Sequence, residues 1–266
     1  MKIQNNSQCL SVVVPVYNEE GSLAFIVQKL VALPQLLEVI VVDDCSTDQT
    51  PEIARRLAEA YPQVQLVCHR ENLGKTKALK TGIGLTRGDI VIVQDADLEY
   101  DPDEIPDVIR PIVEGHADVV YGSRFLVRRT ARVLYFYHFL ANKLLTFTSN
   151  LLTNLNMTDI ETGYKAFRGD IIRDMVIVSS GFGFEVEATA KIAKLGCAIY
   201  EVPISYYGRT YKEGKKIGLK DGIVALWLVF RFNLFCRLSS AFREVPEKRA
   251  KFPHSTPAEK KRGIAN

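Results

Sequence analysis

The first half of the chain alternates between short apolar stretches and stretches with helical periodicity, and this alternation limits the possible folds more than any other feature. Five apolar, β-rich stretches are predicted to be strands: residues 10–17, 37–46, 64–69, 89–97 and 117–124. Four intervening stretches are predicted to be helices: residues 19–33, 47–61, 74–86 and 102–115. Alternation at these lengths indicates βαβ units and a parallel sheet that is buried on both faces. We therefore predict an α/β fold, with a mostly parallel, Rossmann-like sheet and helices on both of its faces.

The second half of the chain has a different composition and a different pattern of apolar residues. Residues 125–158 are basic, rich in Leu, Phe and Tyr, and helical in period, and residues 163–206 return to short strands and helices. Residues 218–236 predict an apolar, amphipathic helix. Its apolar part, residues 222–230, is far shorter than the ~20 residues that a transmembrane helix needs, and the N-terminus lacks the pattern of a secretory signal. We expect a chain that does not span a bilayer.

Composition and charge exclude some classes of protein and favour others. The five cysteines are isolated and no CxxC pair occurs, so we expect free thiols in a reducing compartment and no disulfide framework or zinc site. The net charge is only +3, but the basic residues are segregated. No acidic residue lies between Tyr121 and Thr158, and a second basic cluster covers residues 208–220. Such patches suggest an anionic partner, which at this point could be a phosphate, a membrane surface or a nucleic acid.

An acidic cluster follows the fourth predicted strand. Asp95, Asp97, Glu99 and Asp101 stand at every second position. In an extended chain such side chains point the same way, and two like charges 4 Å apart repel by about 4 kcal/mol at an effective dielectric near 20. A cation between them removes that cost, and oxygen ligands suit Mg²⁺ or Mn²⁺. The alternative is a solvated acidic turn at the start of the next helix. Ligands of parallel sheets bind beyond the carboxyl ends of the strands, and this position favours the metal.

Two nucleotide-binding motifs are excluded by their spacing. The stretch "NLGKT", residues 72–76, resembles the end of a phosphate-binding P-loop, but that motif needs a glycine where His69 stands. The stretch "GIGLTRG", residues 82–88, is GxGxxxG and precedes its strand, so it does not fit the dinucleotide fingerprint either.

Six stretches together carry a resemblance to a known family. They are "SVVVPVYNEE", "VIVVDDCSTDQT", "ENLGKTKALKTG", "DADLEYDP", "VVYGSR" and "TGYKAF". In this order they resemble the family 2 glycosyltransferases, and the chain is most similar to the polyprenyl-phosphate branch, the dolichyl-phosphate mannose or glucose synthases. The resemblance spans about residues 10–235. It implies a GT-A fold, a GDP- or UDP-linked sugar donor, and Mg²⁺ or Mn²⁺ as cofactor.

The resemblance also implies roles for particular residues on the donor side. The donor-binding residues would be Pro15, Tyr17, Asn18, Glu19, Asp44, Lys75, Asp95 and Ala96. The metal ligands would be Asp95, Asp97 and Glu99, with Asp97 the firmest of the three. Arg209 and Lys215 resemble a basic loop that neutralises the leaving diphosphate, so Asp97, Arg209 and Lys215 form the predicted catalytic set.

The acceptor decides what further groups the reaction needs. A phosphate monoester has a second pKa near ~6 and is largely dianionic at neutral pH, so it needs positive charge and no base. The candidate acceptor-phosphate residues are Arg124, Arg128, Arg129 and Arg132. A solvated helix face remains an alternative for each of them. If the acceptor is a sugar hydroxyl, Asp159 and Glu161 become the candidate bases and Glu185 and Glu187 weaker ones, although structural roles explain these residues as well.

These inferences give a division of the chain and a set of partners. We predict a GT-A catalytic domain at residues 1–207, a basic loop with a membrane-proximal amphipathic helix at 208–240, and a basic, disordered tail at 241–266. The expected partners are a nucleotide-sugar donor, a polyprenyl-phosphate acceptor and a membrane surface, with no nucleic acid. We expect peripheral attachment at the cytoplasmic face of a membrane, with an interdomain helix as the alternative for residues 218–236.

Overall fold

One mixed β-sheet forms the centre of the molecule. The computed structural model describes residues 8–126, 130, 132, 133, 135–210 and 218–246. Within these residues the sheet has seven strands: β1 Leu10–Val16, β2 Leu36–Asp43, β3 Val64–Cys68, β4 Ile90–Val93, β5 Val119–Ser123, β6 Lys165–Arg168 and β7 Ile199–Pro203. Their spatial order is β3-β2-β1-β4-β6-β5-β7. Only β6 among them runs antiparallel to its neighbours, β4 and β5.

Helices cover both faces of this sheet. In the described part of the chain they are α1 Leu23–Val31, α2 Thr50–Ala60, α3 Lys75–Leu85, α4 Ile105–Val113, α5 Phe136–Thr153, α6 Gly169–Asp174, α7 Phe184–Leu195, α8 Leu219–Phe230 and α9 Leu238–Ala241. A short 3₁₀ turn at Pro102–Glu104 precedes α4, and a π-helical turn at Arg231–Phe235 continues α8. The predicted α/β class, with a mostly parallel sheet, is confirmed.

The alternation of side chains along β1 explains why both faces are covered. Val12 and Val14 pack into a core that includes Leu23 of α1, whereas Val13 packs into a second core with Leu79 of α3. Successive residues of a strand point to opposite faces, so an all-apolar strand needs an apolar cover on each side. All seven residues of β1 are buried. This strand lies inside the sheet, between β2 and β4, so the ends of other strands flank its carboxyl end on both sides.

The fourth strand is shorter than the sequence predicted. β4 ends at Val93, and the acidic residues that follow lie in a series of bends rather than in an extended strand. The backbone amide of Glu99 donates to Asp97 Oδ1 at 3.1 Å, which closes a turn. The expectation that alternate carboxylates share one face of a strand is therefore wrong. Aspartate favours such local turns over an extended ladder because its side chain competes for backbone amides.

The last helices form a layer beside the sheet. Leu228, Val229 and Phe232 of α8 and its π-turn pack with Leu145 of α5 and Val186 of α7. The outward faces of α5 and α8 carry large apolar side chains that remain exposed. The helix predicted over residues 218–236 thus exists, as α8 and its π-helical continuation. None of the described helices is long and apolar enough to cross a bilayer.

Candidate active site

Three carboxylates from two loops converge on one guanidinium group at the carboxyl edge of the sheet. Glu19 follows β1, Asp97 and Glu99 follow β4, and Arg209 follows β7. Arg209 Nη1 donates to Glu19 Oε1 at 3.0 Å, and Nη2 donates to Asp97 Oδ2 at 2.8 Å. The backbone amide of Arg209 donates to Glu99 Oε1 at 2.7 Å. The predicted catalytic residues Asp97 and Arg209 are therefore in direct contact.

The electrostatics of this cluster depend on burial. Burial, together with the charges of Asp95 and Glu99, raises the pKa of Asp97 to about 7, although Arg209 opposes the rise. Burial would lower the pKa of Arg209, but the charges of Asp97 and Glu19 outweigh it and the pKa rises. The edge is thus crowded with negative charge that one half-buried guanidinium only partly compensates.

A second ion-pair group lies beside the first. Lys75, the first residue of α3, contacts Asp95 Oδ1 at 2.8 Å and Glu185 Oε1 at 3.3 Å. Burial would lower the pKa of Lys75, but the charges of Asp95 and Glu185 outweigh it and the pKa rises. Gly163 borders this group, and a Cβ at that position would run into Asp95 Oδ2. The site is thus narrow here, and only glycine leaves the Asp95 carboxylate its space.

Two of the predicted donor-binding residues, Asp44 and Asn18, form hydrogen bonds that hold loops together. Asp44 is buried and accepts from the backbone amides of Leu73 and Gly74 at 3.0 and 2.7 Å, so it holds the loop before α3. Asn18 has a left-handed backbone (φ 53°) and accepts from the Thr47 amide at 2.8 Å. These contacts bring the loops after β1 and β2 together.

The other donor-side residues occupy the same edge. Pro15 is buried within β1, Tyr17 is half-buried at its end, and Ala96 is buried between the two predicted aspartates. Their roles towards a nucleotide remain predictions.

Arg124, a predicted acceptor-phosphate residue, forms a buried ion pair. Its Nε and Nη2 donate to the two oxygens of Asp159 at 2.7 and 2.8 Å, and the Asp159 side chain is fully buried. Burial would raise the pKa of Asp159, but Arg124 outweighs it and holds that pKa low. A carboxylate with a low pKa and a bidentate partner is a poor general base. Asp159 therefore orders this loop, in line with its structural interpretation.

The remaining predicted arginines are only partly described. Arg132 donates through Nη1 to the Gly208 carbonyl at 3.2 Å and through its amide to the Tyr206 carbonyl at 2.9 Å. Arg128, Arg129 and Lys215 lie outside the described residues, so their predicted roles stay predictions.

Two further carboxylates and a lysine lie beneath this edge. Glu161 Oε1 and Glu185 Oε2 are buried and have no hydrogen-bond partner among the described residues. Burial raises the pKa of Glu161 to about 7, and the charge of Glu185 contributes. Burial lowers the pKa of Lys165, whose ammonium group donates to the Thr162 carbonyl, to about 8. Sequence reasoning missed Lys165, although a lysine inside the short apolar strand of "TGYKAF" was a visible signal.

Glu187, the other weak candidate base, has a structural role. It forms a buried ion pair with Lys191 at 2.5 Å and accepts from the amides of Val178 and Ser179. Its carboxylate therefore orders the segment before α7.

The donor set at the edge suits a hard divalent cation. Asp95, Asp97 and Glu99 offer only oxygen, which Mg²⁺ and Mn²⁺ prefer. Among the described residues, no three His, Cys, Asp or Glu side chains are gathered as a ready set of metal ligands. The guanidinium of Arg209 contacts both Glu19 and Asp97.

The structure defines an α/β protein whose loops gather carboxylates at the carboxyl edge of a mostly parallel sheet, and the comparisons identify its family. Residues 11–176 match the model of glycosyl transferase family 2, and the chain belongs to this family. It is 34% identical over 238 residues to an undecaprenyl-phosphate mannosyltransferase of Micrococcus luteus, covering 85% of this chain and 94% of that protein. It is 32% identical to a polyprenol monophosphomannose synthase of Mycolicibacterium smegmatis, covering 78% and 80% of the two chains. The expected resemblance to the polyprenyl-phosphate branch is confirmed.

Solved structures agree on the fold. The glucosyl-3-phosphoglycerate synthase of Mycobacterium tuberculosis, crystallised with Mn²⁺, UDP and glucosyl-3-phosphoglycerate, superposes with a TM-score of 0.64 at 21% identity. The match covers 84% of this chain and 78% of that one. The predicted GT-A fold is confirmed.

Proposed function

We propose that this chain transfers a hexose, mannose or glucose, from a GDP- or UDP-linked donor to the phosphate of a polyprenyl phosphate. The support is the family, the names of the two relatives and the arrangement of charge at the sheet edge. The reaction is an in-line displacement that inverts the anomeric carbon. The acceptor phosphate is already largely dianionic at neutral pH, so the chain needs to bind and align it rather than deprotonate it.

One run of contacts carries this proposal, because it joins the acidic edge to the apolar helices. Glu99 Oε2 accepts from the Tyr206 hydroxyl at 3.1 Å, and the Tyr206 ring lies 5.1 Å from the Arg124 guanidinium. Next to Arg124, Phe125 packs edge-on against Phe139 of α5 at 5.4 Å. A diphosphate at the acidic edge and a lipid phosphate near the arginines would therefore lie on adjacent parts of one surface.

The residues have separate roles at the metal, at the leaving nucleotide and at the acceptor phosphate. Asp97, with Asp95 and Glu99, would hold Mg²⁺ or Mn²⁺, which when bound supplies positive charge to the diphosphate. Arg209 and Lys215 are the side chains that would neutralise the negative charge of the leaving nucleotide. Arg124, Arg128, Arg129 and Arg132 provide the positive field for the acceptor phosphate, with Arg124 acting from its ion pair with Asp159.

We propose further that the chain attaches peripherally to the cytoplasmic face of a membrane through one apolar face. We call this the α5/α8 face. Its exposed apolar side chains are Phe136, Tyr137, Leu140, Leu144, Phe147 and Leu151 on α5, and Ile223, Val224, Trp227, Phe230, Leu234 and Phe235 on α8 and its π-turn. The α5 helix contains no acidic residue, and aromatic and aliphatic side chains of this kind suit the interface of an anionic bilayer. The same surface would present the isoprenoid chain to the arginines.

The test is direct transfer by the full chain. Vesicles containing polyprenyl phosphate are incubated with radiolabelled GDP-mannose or UDP-glucose and Mn²⁺, and label in the lipid fraction is measured. We expect transfer with one of the two donors, loss of transfer with a chelator, and at least a 100-fold loss in Asp97→Asn. Arg55→Gln, on the exposed side of α2, is the control with full activity. Label that moves only to free sugars or polysaccharide would contradict the proposal.

Glu161 supports a second candidate, a family 2 transferase with a sugar-hydroxyl acceptor. Its buried, unpartnered oxygen and its pKa of about 7 are properties of a general base. In that case Glu161→Gln loses transfer while Arg132→Ala keeps it. The polyprenyl-phosphate assignment expects the reverse, because a dianionic acceptor needs no base.

A further inference from the structure

The position of Arg209 has a consequence for the order in which ligands bind. Its guanidinium contacts Glu19 and Asp97 at 3.0 and 2.8 Å, and its amide contacts Glu99 at 2.7 Å. The side chain is 27% exposed, and its Nε is buried without a hydrogen-bond partner among the described residues. Arg209 is therefore held by Glu19 and by two carboxylates, Asp97 and Glu99, that the proposed function assigns to the metal.

A metal ion and this arginine would compete for the same oxygen. Mg²⁺ binds carboxylate oxygen at about 2.0–2.1 Å and requires near-octahedral geometry. Asp97 Oδ2 is the atom that Arg209 Nη2 already contacts. Two cations that share one carboxylate oxygen in a half-buried site repel each other strongly, because the effective dielectric is low there.

A diphosphate removes this conflict. It brings several negative charges to the edge, and its oxygens match the two-pronged geometry of a guanidinium group as well as carboxylate does. Arg209 can then turn from Asp97 to the diphosphate while the metal takes the vacated carboxylate oxygen. The metal and Arg209 would then both bind the diphosphate instead of competing for one carboxylate.

We propose that Arg209 occupies the metal position of the ligand-free chain and gives it up only to a diphosphate, so that it couples metal binding to nucleotide binding. The inference rests on the proposed function in one respect, the assignment of Asp97 as a metal ligand. Since coupling between two ligands is reciprocal, the diphosphate tightens the metal and the metal tightens the diphosphate. Arg209 is thus a positioning residue before the donor arrives and a diphosphate ligand afterwards.

The experiment measures Mn²⁺ binding to the nucleotide-free full chain by the electron paramagnetic resonance signal of free Mn²⁺. We expect Arg209→Gln to bind Mn²⁺ about tenfold more tightly than the wild type, because the competing cation is gone. In the presence of Mn²⁺ the same variant should bind UDP or GDP about tenfold more weakly, because the diphosphate has lost its ligand. A variant that is merely misfolded would weaken both.

Controls separate this inference from the proposed function. Arg56→Gln removes an arginine from an exposed ion pair with Glu52 on α2 and should match the wild type in both measurements. Arg209→Lys keeps a positive charge, so its Mn²⁺ affinity should stay close to that of the wild type. If Arg209→Gln binds Mn²⁺ no more tightly than the wild type while nucleotide binding still depends on Mn²⁺, the inference is overturned and the proposed function stands. If the wild type binds UDP and GDP equally well with Mn²⁺ and with a chelator, the metal assignment fails and the inference fails with it.

Discussion

Individual carboxylates at the sheet edge differ in charge because their surroundings differ. Asp159 is fully buried but paired with Arg124, which holds its pKa low. Glu161, two residues further on, is buried near Glu185 and has a pKa of about 7. The same loop therefore carries one carboxylate that is ionised throughout the neutral range and one that takes up a proton within it.

The raised pKa of Glu161 predicts how stability changes with pH. The pKa is 4.5 for the unfolded group and about 7 in the folded chain, so the folded chain binds the proton more tightly. The free energy of unfolding should therefore fall as the pH rises from about 4.5 to about 7. Glu161→Gln should remove the part of this fall that Glu161 contributes. Between pH 5 and pH 7.5, the stability of the variant relative to the wild type should therefore rise by about 2 kcal/mol. Urea unfolding at several pH values measures this.

A matched control keeps this prediction specific. Glu59→Gln, at an exposed position on α2, should leave the pH dependence of the wild type unchanged. Burial lowers the pKa of Lys165 from 10.5 to about 8, so this lysine titrates mainly above the pH range of the comparison. Parallel curves for Glu161→Gln and the wild type would contradict the prediction.

For single residues, the sequence predicted the residue types of the site better than it predicted which of these residues contact each other. Asp97 and Arg209 were both named from the resemblance, but their direct contact was not predicted. Nor was the ion pair of Arg209 with Glu19, which is 190 positions away in the chain. A local pattern indicates which residue types stand at a strand end; which of them meet depends on how distant loops fold over one another.

Among the elements, α5 and α8 differ most from the others in how they are covered. Their inner sides pack with α7, and their outer sides expose the large apolar residues of the α5/α8 face. The single tryptophan of the chain, Trp227, lies on this face and is 58% exposed. Its fluorescence therefore reports on what contacts the face.

This arrangement predicts a spectroscopic change on membrane binding. Vesicles with anionic lipid should shift the Trp227 emission to shorter wavelength, because the indole moves from water into the interface. Phe147→Ser on α5 should weaken vesicle binding about tenfold, since burying a phenylalanine contributes about 1.5–3 kcal/mol. Phe25→Ser, at a similarly exposed phenylalanine on α1, is the control and should bind as the wild type does. Equal binding by both variants would place the membrane contact elsewhere.

The elements themselves were largely predictable, and the exceptions have local causes. The bounds of β1, β2 and α1 were predicted to within a few residues. Burial on both faces of the sheet requires apolar runs in the strands and a periodic apolar pattern in the helix, and both are visible in the sequence. The predicted strand over residues 89–97 was too long, because aspartate and glutamate bind nearby amides and cations instead of extending the ladder. The helix in the apolar region 125–158 was located, but its start at Phe136 was not.

Considered as a whole, the molecule gathers its loops at one sheet edge, so a ligand there should stabilise the entire fold. A nucleoside diphosphate with Mn²⁺ at about 100 times its dissociation constant adds about 2.7 kcal/mol to the free energy of unfolding. For a chain of this size that raises the melting temperature by about 5–10 °C. A thermal-shift panel of UDP and GDP, each with and without Mn²⁺, measures this and identifies the donor nucleotide. No shift with either nucleotide would contradict the donor proposal, and an equal shift without Mn²⁺ would contradict the role of the metal.

The overall topology was predictable only in part. The alternation of elements gave the parallel half of the sheet, since right-handed βαβ connections leave few choices. The insertion of β6 between β4 and β5, in the opposite direction, was not predicted. It depends on a four-residue strand, which has too few residues for a pattern, and on pairing partners more than 40 positions away in the chain.

The reversed direction of β6 has a consequence for how such a chain can change over evolutionary time. A parallel strand delivers the residues that follow it to this edge, whereas β6 delivers the residues that precede it, Asp159 to Gly163. That connection joins a surface helix to the edge without forming part of the parallel ladder. Evolution can therefore lengthen this connection or change its composition while the register of the parallel strands stays the same.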